Sequence, residues 1–421
     1  ETIKQINAEG RYICFTRPRR FGKTMAAKML TAYYDCSVDS STLFQGFEIE
    51  NNPSFTKYLN KYNVLFLNMQ DFVTATDSID QMLLYMQNLI IDDLEEFFPE
   101  QIEKSKRVFI NAFSRIYTDT KVGFVIIIDE WDCIFRMFPE DTLSQKKYLD
   151  FLRSWLKDKA YVKLAYMTGI LPVKKYGLHS ALNMFDEFSM TEAKQLGPFF
   201  GFTENEVLSL CDKYQMDFSE IRRWYDGYIL KLTGHIYSPK SVVGAMVNKD
   251  YSSYWTSTET YEALQIYLDL NYDGLRDSII EMLAGQSVKV DTLTFQNDMK
   301  NFAAKDDILT LLVHLGYLAY NANEETVFIP NEEVRSEFVR AIKYNQNFGE
   351  VVGIINASDS LLKAVWDGNA EAVSSGIESV HMLNTSVLRY NDENSLSCVL
   401  TLAFFSARNY YTFHRELPAG K

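Results

Sequence analysis

The stretch CFTRPRRFGKT, Cys14 to Thr24, ends in three residues whose chemistry suits a phosphorylated ligand: Gly22, Lys23 and Thr24. Glycine leaves room for backbone N–H groups to approach an anion, lysine adds a cation, and threonine offers a hydroxyl to a metal ion. About a hundred residues downstream, VGFVIIIDEWD (Val122–Asp132) ends a run of Val and Ile in Asp129 and Glu130. Acids at the end of an apolar strand can hold a metal ion and orient a water molecule. A buried strand that merely ends in a solvated acidic turn explains the second stretch equally well when it is taken alone.

Taken together, the two stretches assign complementary roles. Backbone N–H groups from Phe21 through Met25, at a helix N-terminus, would hold phosphate oxygens. A side chain at Gly22 would block that approach. Lys23 would sit between the β- and γ-phosphates, and Thr24 would ligate Mg²⁺. Asp129 would hold the ion through water, and Glu130 would activate the attacking water. Thr168 ends the next apolar run, in AYMTG, where a polar side chain would face the γ-phosphate or the water. An ordinary strand-terminal threonine is the competing reading.

The usual phosphate-loop pattern places a glycine where Arg17 stands. Pro18 fixes its own φ and pushes Arg17 toward an extended conformation, which shapes the loop without that glycine. Arg19 and Arg20 are candidate phosphate contacts. Bracing of the loop against an acid, or simple solvation, competes for each arginine.

These residues need a scaffold of parallel strands and covering helices. RYICFTR enters the loop as a strand, and KTMAAKMLTAYY leaves it as a helix. NVLFLNMQDF (Asn63–Phe72) reads as a second strand. Ile79, Met82, Leu83, Met86 and Ile90 then recur on one helical face. Near-continuous Val and Ile in the 122–132 stretch is the mark of a parallel strand covered on both faces. SQKKYLDFLRSWLKD is an amphipathic helix, YVKLAYMTG a fourth strand and MFDEFSM a fifth. Alternating strands and helices predict an α/β domain over residues 1–195, a parallel sheet flanked by helices.

Beyond residue 195 the pattern becomes helical. Thr203 and Glu206 form a capping-box spacing, which starts a helical lid region assigned to 196–300. Residues 301–344 read as helix, strand, turn, strand, helix, the order of a winged-helix-like module. Residues 345–421 read as a helical linker. The module's second helix carries three acids against two arginines, so packing fits it better than DNA reading.

Composition narrows the function further. The chain has 421 residues, with 47% hydrophobic residues and a net charge of −14, enough to fill several cores and ill suited to coating nucleic acid. Its five cysteines are scattered and form no CxxC pair, and the five histidines show no metal spacing. A reduced, cytoplasmic protein is expected. No apolar run approaches the ~18–20 residues of a membrane helix, and the first residues lack the form of a signal peptide.

The order of FTRPRRFGKT, IIIDEWD, MTGILPVKK, WYDGY, YSPKSVVGAM, YWTSTET, LLVHLGYLAY and IPNEEV resembles the AAA-ATPase-like proteins of bacteria and archaea. In these, a P-loop ATPase domain precedes a nuclease-like domain of the PD-(D/E)XK type. The resemblance implies ATP and Mg²⁺ as ligands. It makes the arginine-rich loop entry the family's own form. It carries Lys23, Thr24, Asp129 and Glu130 over by motif, and Thr168 less firmly. It also implies that residues 345–421 hold, beside the helical linker, the start of an incomplete nuclease-like domain, with Glu393 and Glu416 as auxiliary nuclease residues. Surface acids on a helix and a strand end are the better reading of both, and the Gly-x-x-Asp and Glu-x-Lys segments do not occur before Lys421, so no nuclease activity is expected of these residues. Any nucleic-acid partner would come through that further domain.

The leading expectation is an ATPase whose nucleotide state moves the lid and the C-terminal part, with a second copy of the chain as a possible donor of an arginine. A tightly binding switch with little hydrolysis, and a nucleic-acid effector licensed by ATP, are the alternatives.

Overall fold

The computed structural model describes residues 11–173, 182–255, 261–270, 272, 274–296, 299, 302–343, 345–384, 393–411 and 413. Five parallel strands form its first sheet: β1 (Tyr12–Thr16), β2 (Asn63–Asn68), β3 (Phe124–Asp129), β4 (Val162–Gly169) and β5 (Asp186–Phe188). Their order is β2-β3-β4-β1-β5, so β4 lies between the strand that feeds the loop and the strand that ends in Asp129.

All six residues of β3 are buried, because both faces of the strand are covered. Val125 and Ile127 pack on one face with Ile13, Phe15 and Tyr166. Helix α1 (Lys23–Tyr34) closes that side with Ala27 and Leu30. Phe124, Ile126 and Ile128 point the other way. They meet α2 (Ile79–Phe97), α3 (Phe109–Thr120) and α5 (Thr142–Leu156), with the short α4 (Cys133–Met137) directly after β3. The face read from Ile79, Met82, Leu83, Met86 and Ile90 is the buried face of α2.

The second strand is shorter than expected. It stops at Asn68, whose side chain accepts a hydrogen bond from the Gln70 N–H and caps a helix over Met69–Thr74. The α3 segment, unassigned from sequence, buries Phe109, Ala112, Phe113 and Ile116 at a plain helical spacing.

The remainder is mostly helical and carries two small antiparallel sheets. The Thr203–Glu206 capping box is present with both of its hydrogen bonds. One small sheet holds β6 (Phe202–Thr203), β7 (Tyr228–Leu230) and β8 (Gly234–Tyr237), and it precedes α6 (Pro239–Asn248). The other joins β9 (Val288–Lys289), which precedes α7 (Lys305–Leu315), to β10 (Ala319–Asn321) and β11 (Thr326–Phe328), which lie between α7 and α8 (Glu332–Ile342). The largest core runs through this half and includes Phe21 of the loop after β1.

Helices occupy Gly349–Trp366, Ala370–Asn384 and Glu393–Ala403. Glu393 thus begins a helix, and Glu416 lies outside the described residues. Among the described residues, no helix is long and apolar enough to cross a membrane.

Candidate functional site

Strand register brings the candidate residues to one edge. Phe15 pairs with Thr168, and Thr168 and Asn68 both pair with Asp129, so the C-terminal ends of β1, β4, β3 and β2 form a row. In open α/β sheets, ligands bind at this end of the strands.

Gly22 caps α1 at φ +87°, a conformation that glycine adopts without strain. A Cβ there would meet no protein atom within 4 Å, so within the chain the conformation itself calls for glycine. No side chain caps this helix start, which leaves its first N–H groups without a side-chain partner. Lys23 is buried, and its ammonium donates to the Pro18 carbonyl at 3.0 Å. Burial pulls its pKa down, while Glu130, Asp132 and Asp129 act in the opposite direction.

The Thr24 hydroxyl donates to Asp129 Oδ2 at 2.6 Å, joining the first turn of α1 to the end of β3. The other Asp129 oxygen accepts the Glu130 N–H at 3.0 Å. Glu130 takes a left-handed φ of +54°, uncommon for a residue with a side chain. Its carboxylate pairs with Arg136 of α4. Thr168 is fully buried, and its hydroxyl has no hydrogen-bond partner among the described residues.

Two residues not singled out from sequence complete this end of the sheet. Asp132, fully buried, accepts the N–H groups of Ile170 and Leu171 at 3.1 and 2.9 Å. Its Oδ2 lies 3.4 Å from Arg136 Nε. Asp132 therefore ties the turn after Thr168 to the turn after Asp129. Trp131 adds a backbone bond to the Thr168 carbonyl and an indole bond to Leu171, both at 3.1 Å. The DEWDCIFR stretch places Asp132 and Arg136 one helical turn apart, and that spacing was the available signal.

The arginines of the loop separate sharply. Arg17 is fully buried over the Phe15 ring, 4.4 Å from its centroid. It donates Nη1 to the Thr16 carbonyl at 2.9 Å, while Nε and Nη2 have no partner among the described residues. Burial lowers its pKa to about 9. Arg19 is exposed. Arg20, at φ +68°, reaches across to the carbonyls of Tyr254 (3.0 Å) and Trp255. Phe21 is buried edge-on against Tyr228, with ring centroids 5.4 Å apart. Met25 is exposed on the first turn of α1.

Residues 1–179 match the family described as predicted AAA-ATPase. The chain is also similar to an uncharacterized protein in the vnfD 5′ region of Azotobacter chroococcum mcd 1, with 24% identity over 263 residues. That match covers 61% of this chain and 49% of the relative, so it spans about half the relative's length.

Proposed function

We propose that the chain binds ATP with Mg²⁺ at the C-terminal ends of β1, β3 and β4, hydrolyses it, and passes its nucleotide state to the C-terminal half. One observation carries this reading: Thr24 and Asp129, 105 positions apart in sequence, meet at 2.6 Å beside the buried Lys23.

The residues present suit the ligand. A hydroxyl and a carboxylate are the hard oxygen donors that Mg²⁺ takes. The uncapped start of α1 and the unpartnered Thr168 hydroxyl suit phosphate oxygens. Mg²⁺ would neutralise charge that builds on those oxygens during transfer.

The chain's own residues then divide the work. Backbone N–H groups from Phe21 to Met25 cradle the phosphates, and the exposed Arg19 is a further candidate contact. Lys23 leaves the Pro18 carbonyl for the β- and γ-phosphates. Thr24 and Asp129 hold the metal ion. Thr168 donates to the γ-phosphate or to the water, and Glu130 takes the water's proton. Arg20, with its guanidinium on two backbone carbonyls, serves as a strut of the loop. Among the described residues no cysteine is joined in a disulfide, which suits a reducing, cytoplasmic setting.

A second reading, tight binding with little turnover, has one observation in its favour: Glu130 is already engaged by Arg136. Phosphate release by wild type and Glu130→Gln separates the two. The ATPase reading expects turnover to fall by about 10²–10⁴ in the variant while ATP binding persists. Equal release by both proteins contradicts it. Control of a nuclease-like effector rests on the sequence resemblance alone.

A further inference from the structure

The loop between β1 and α1 is built against the opposite half of the chain. Pro18 stands against Gly316, where a Cβ would fall 2.7 Å from the proline Cβ and 3.2 Å from the Trp255 ring. The Gly316 carbonyl accepts the Tyr228 hydroxyl at 2.6 Å, and the Tyr228 ring packs on Phe21.

The polar link is more specific. Arg20 donates to the carbonyls of Tyr254 and Trp255. The N–H groups of the same two residues donate to one oxygen of Glu333, at 2.6 and 2.7 Å. The other Glu333 oxygen accepts the Ser241 hydroxyl of α6 at 2.7 Å. Glu333 is 2% exposed and lies in the first turn of α8.

The peptide unit joining Tyr254 to Trp255 therefore has its C=O on a guanidinium and its N–H on a carboxylate. Opposite charges at the two ends of one peptide dipole reinforce each other, so the two contacts strengthen or weaken together. A carboxylate this deeply buried persists only because its donors satisfy it. Its loss would leave two backbone N–H groups and a hydroxyl without their acceptor.

We propose that Glu333, more than 300 positions from the loop, is a positioning residue for the phosphate-binding loop and acts through the 254–255 peptide on Arg20. The proposal builds on the nucleotide reading above and supplies its route of communication. When nucleotide fixes the loop, Arg20 fixes the 254–255 turn, and that turn fixes the start of α8. Movement of α8 loosens the loop by the same path.

The test uses the full chain and ATP with Mg²⁺ as the probe. Titration calorimetry compares wild type, Lys23→Ala, Arg20→Ala, Glu333→Gln and the Arg20→Ala/Glu333→Gln double variant. Each single change in the relay weakens binding by roughly 5–20-fold, and the double variant is no weaker than the poorer single, as two contacts on one relay require. Hydrogen exchange without nucleotide supplies a second readout. Amides of residues 19–25 exchange about tenfold faster in Glu333→Gln. Amides of residues 254–255 and 332–336 exchange faster in Arg20→Ala, a change on the partly exposed side of the relay that spares the buried carboxylate.

Wild-type affinity in both single variants, or losses that multiply in the double variant, overturns the relay while leaving the site intact. Equal ATP binding by wild type and Lys23→Ala overturns the site. In that case the exchange data still decide the strut: unchanged exchange at 19–25 in Glu333→Gln and at 254–255 in Arg20→Ala sinks it, and faster exchange upholds it.

Discussion

Replacing Arg17 with methionine should make the protein more stable. The guanidinium is fully buried, and burial lowers its pKa from its ordinary value to about 9. At about 1.4 kcal/mol per pH unit, the fold disfavours the charged form by about 5 kcal/mol. Its hydrogen bond to the Thr16 carbonyl returns roughly 1.5–3 kcal/mol. The cation over the Phe15 ring returns about 1 kcal/mol more. A net cost of about 1–2 kcal/mol remains. Methionine keeps a flexible apolar chain over Phe15 and removes the charge.

Guanidinium-chloride unfolding at pH 7 should show Arg17→Met more stable by about 1–2 kcal/mol. The advantage should shrink in alkali. Above pH 9 the folded protein releases the arginine proton while the unfolded chain holds it to higher pH, so wild-type stability rises through that window. The variant lacks this rise. A variant less stable than wild type by 1 kcal/mol or more at pH 7 would mean that Arg17 has a strong native partner, and the reasoning would fail.

Other outcomes follow from the same geometry. Thr24→Ala removes the hydroxyl that meets Asp129 at 2.6 Å, so the Mg²⁺ concentration for half-maximal ATP turnover should rise about tenfold; an unchanged Mg²⁺ requirement would remove Thr24 from the metal site. Gly169→Ala would put a Cβ 2.4 Å from Asp132 Oδ1 and 2.7 Å from the Trp131 ring, so thermal unfolding should show a loss of about 1–3 kcal/mol. A neutral result there would mean that the turn after β4 is not held by Asp132.

Local chemistry made part of this structure legible in advance. The loop with its flanking strand and helix, the apolar β3, the α2 face and the Thr203–Glu206 cap each depend on residues close in sequence. Strand order does not, and β4 entered between β1 and β3 through contacts that no local pattern encodes. Asn68 reads as strand until its side chain is seen capping the next turn.

The loop arginines looked alike in sequence because their roles depend on distant groups. Arg17 turns back over Phe15, whereas Arg20 meets two carbonyls some 235 positions away. The acids of α8 favoured packing over DNA reading without showing which of them would be buried. Glu333 and Glu337 are buried, the first on backbone N–H groups and the second against Arg340 at 2.5 Å. An acid's destination cannot be read from its helix when its partners lie on other elements.

The central claim is that Lys23, Thr24 and Asp129 form one site for a nucleoside triphosphate. Calorimetric titration of wild type and Lys23→Ala with ATP and Mg²⁺ tests it most directly. The account predicts saturable, Mg²⁺-dependent binding to wild type and a loss of at least tenfold in the variant. Identical titrations, or heat from neither protein, would contradict it.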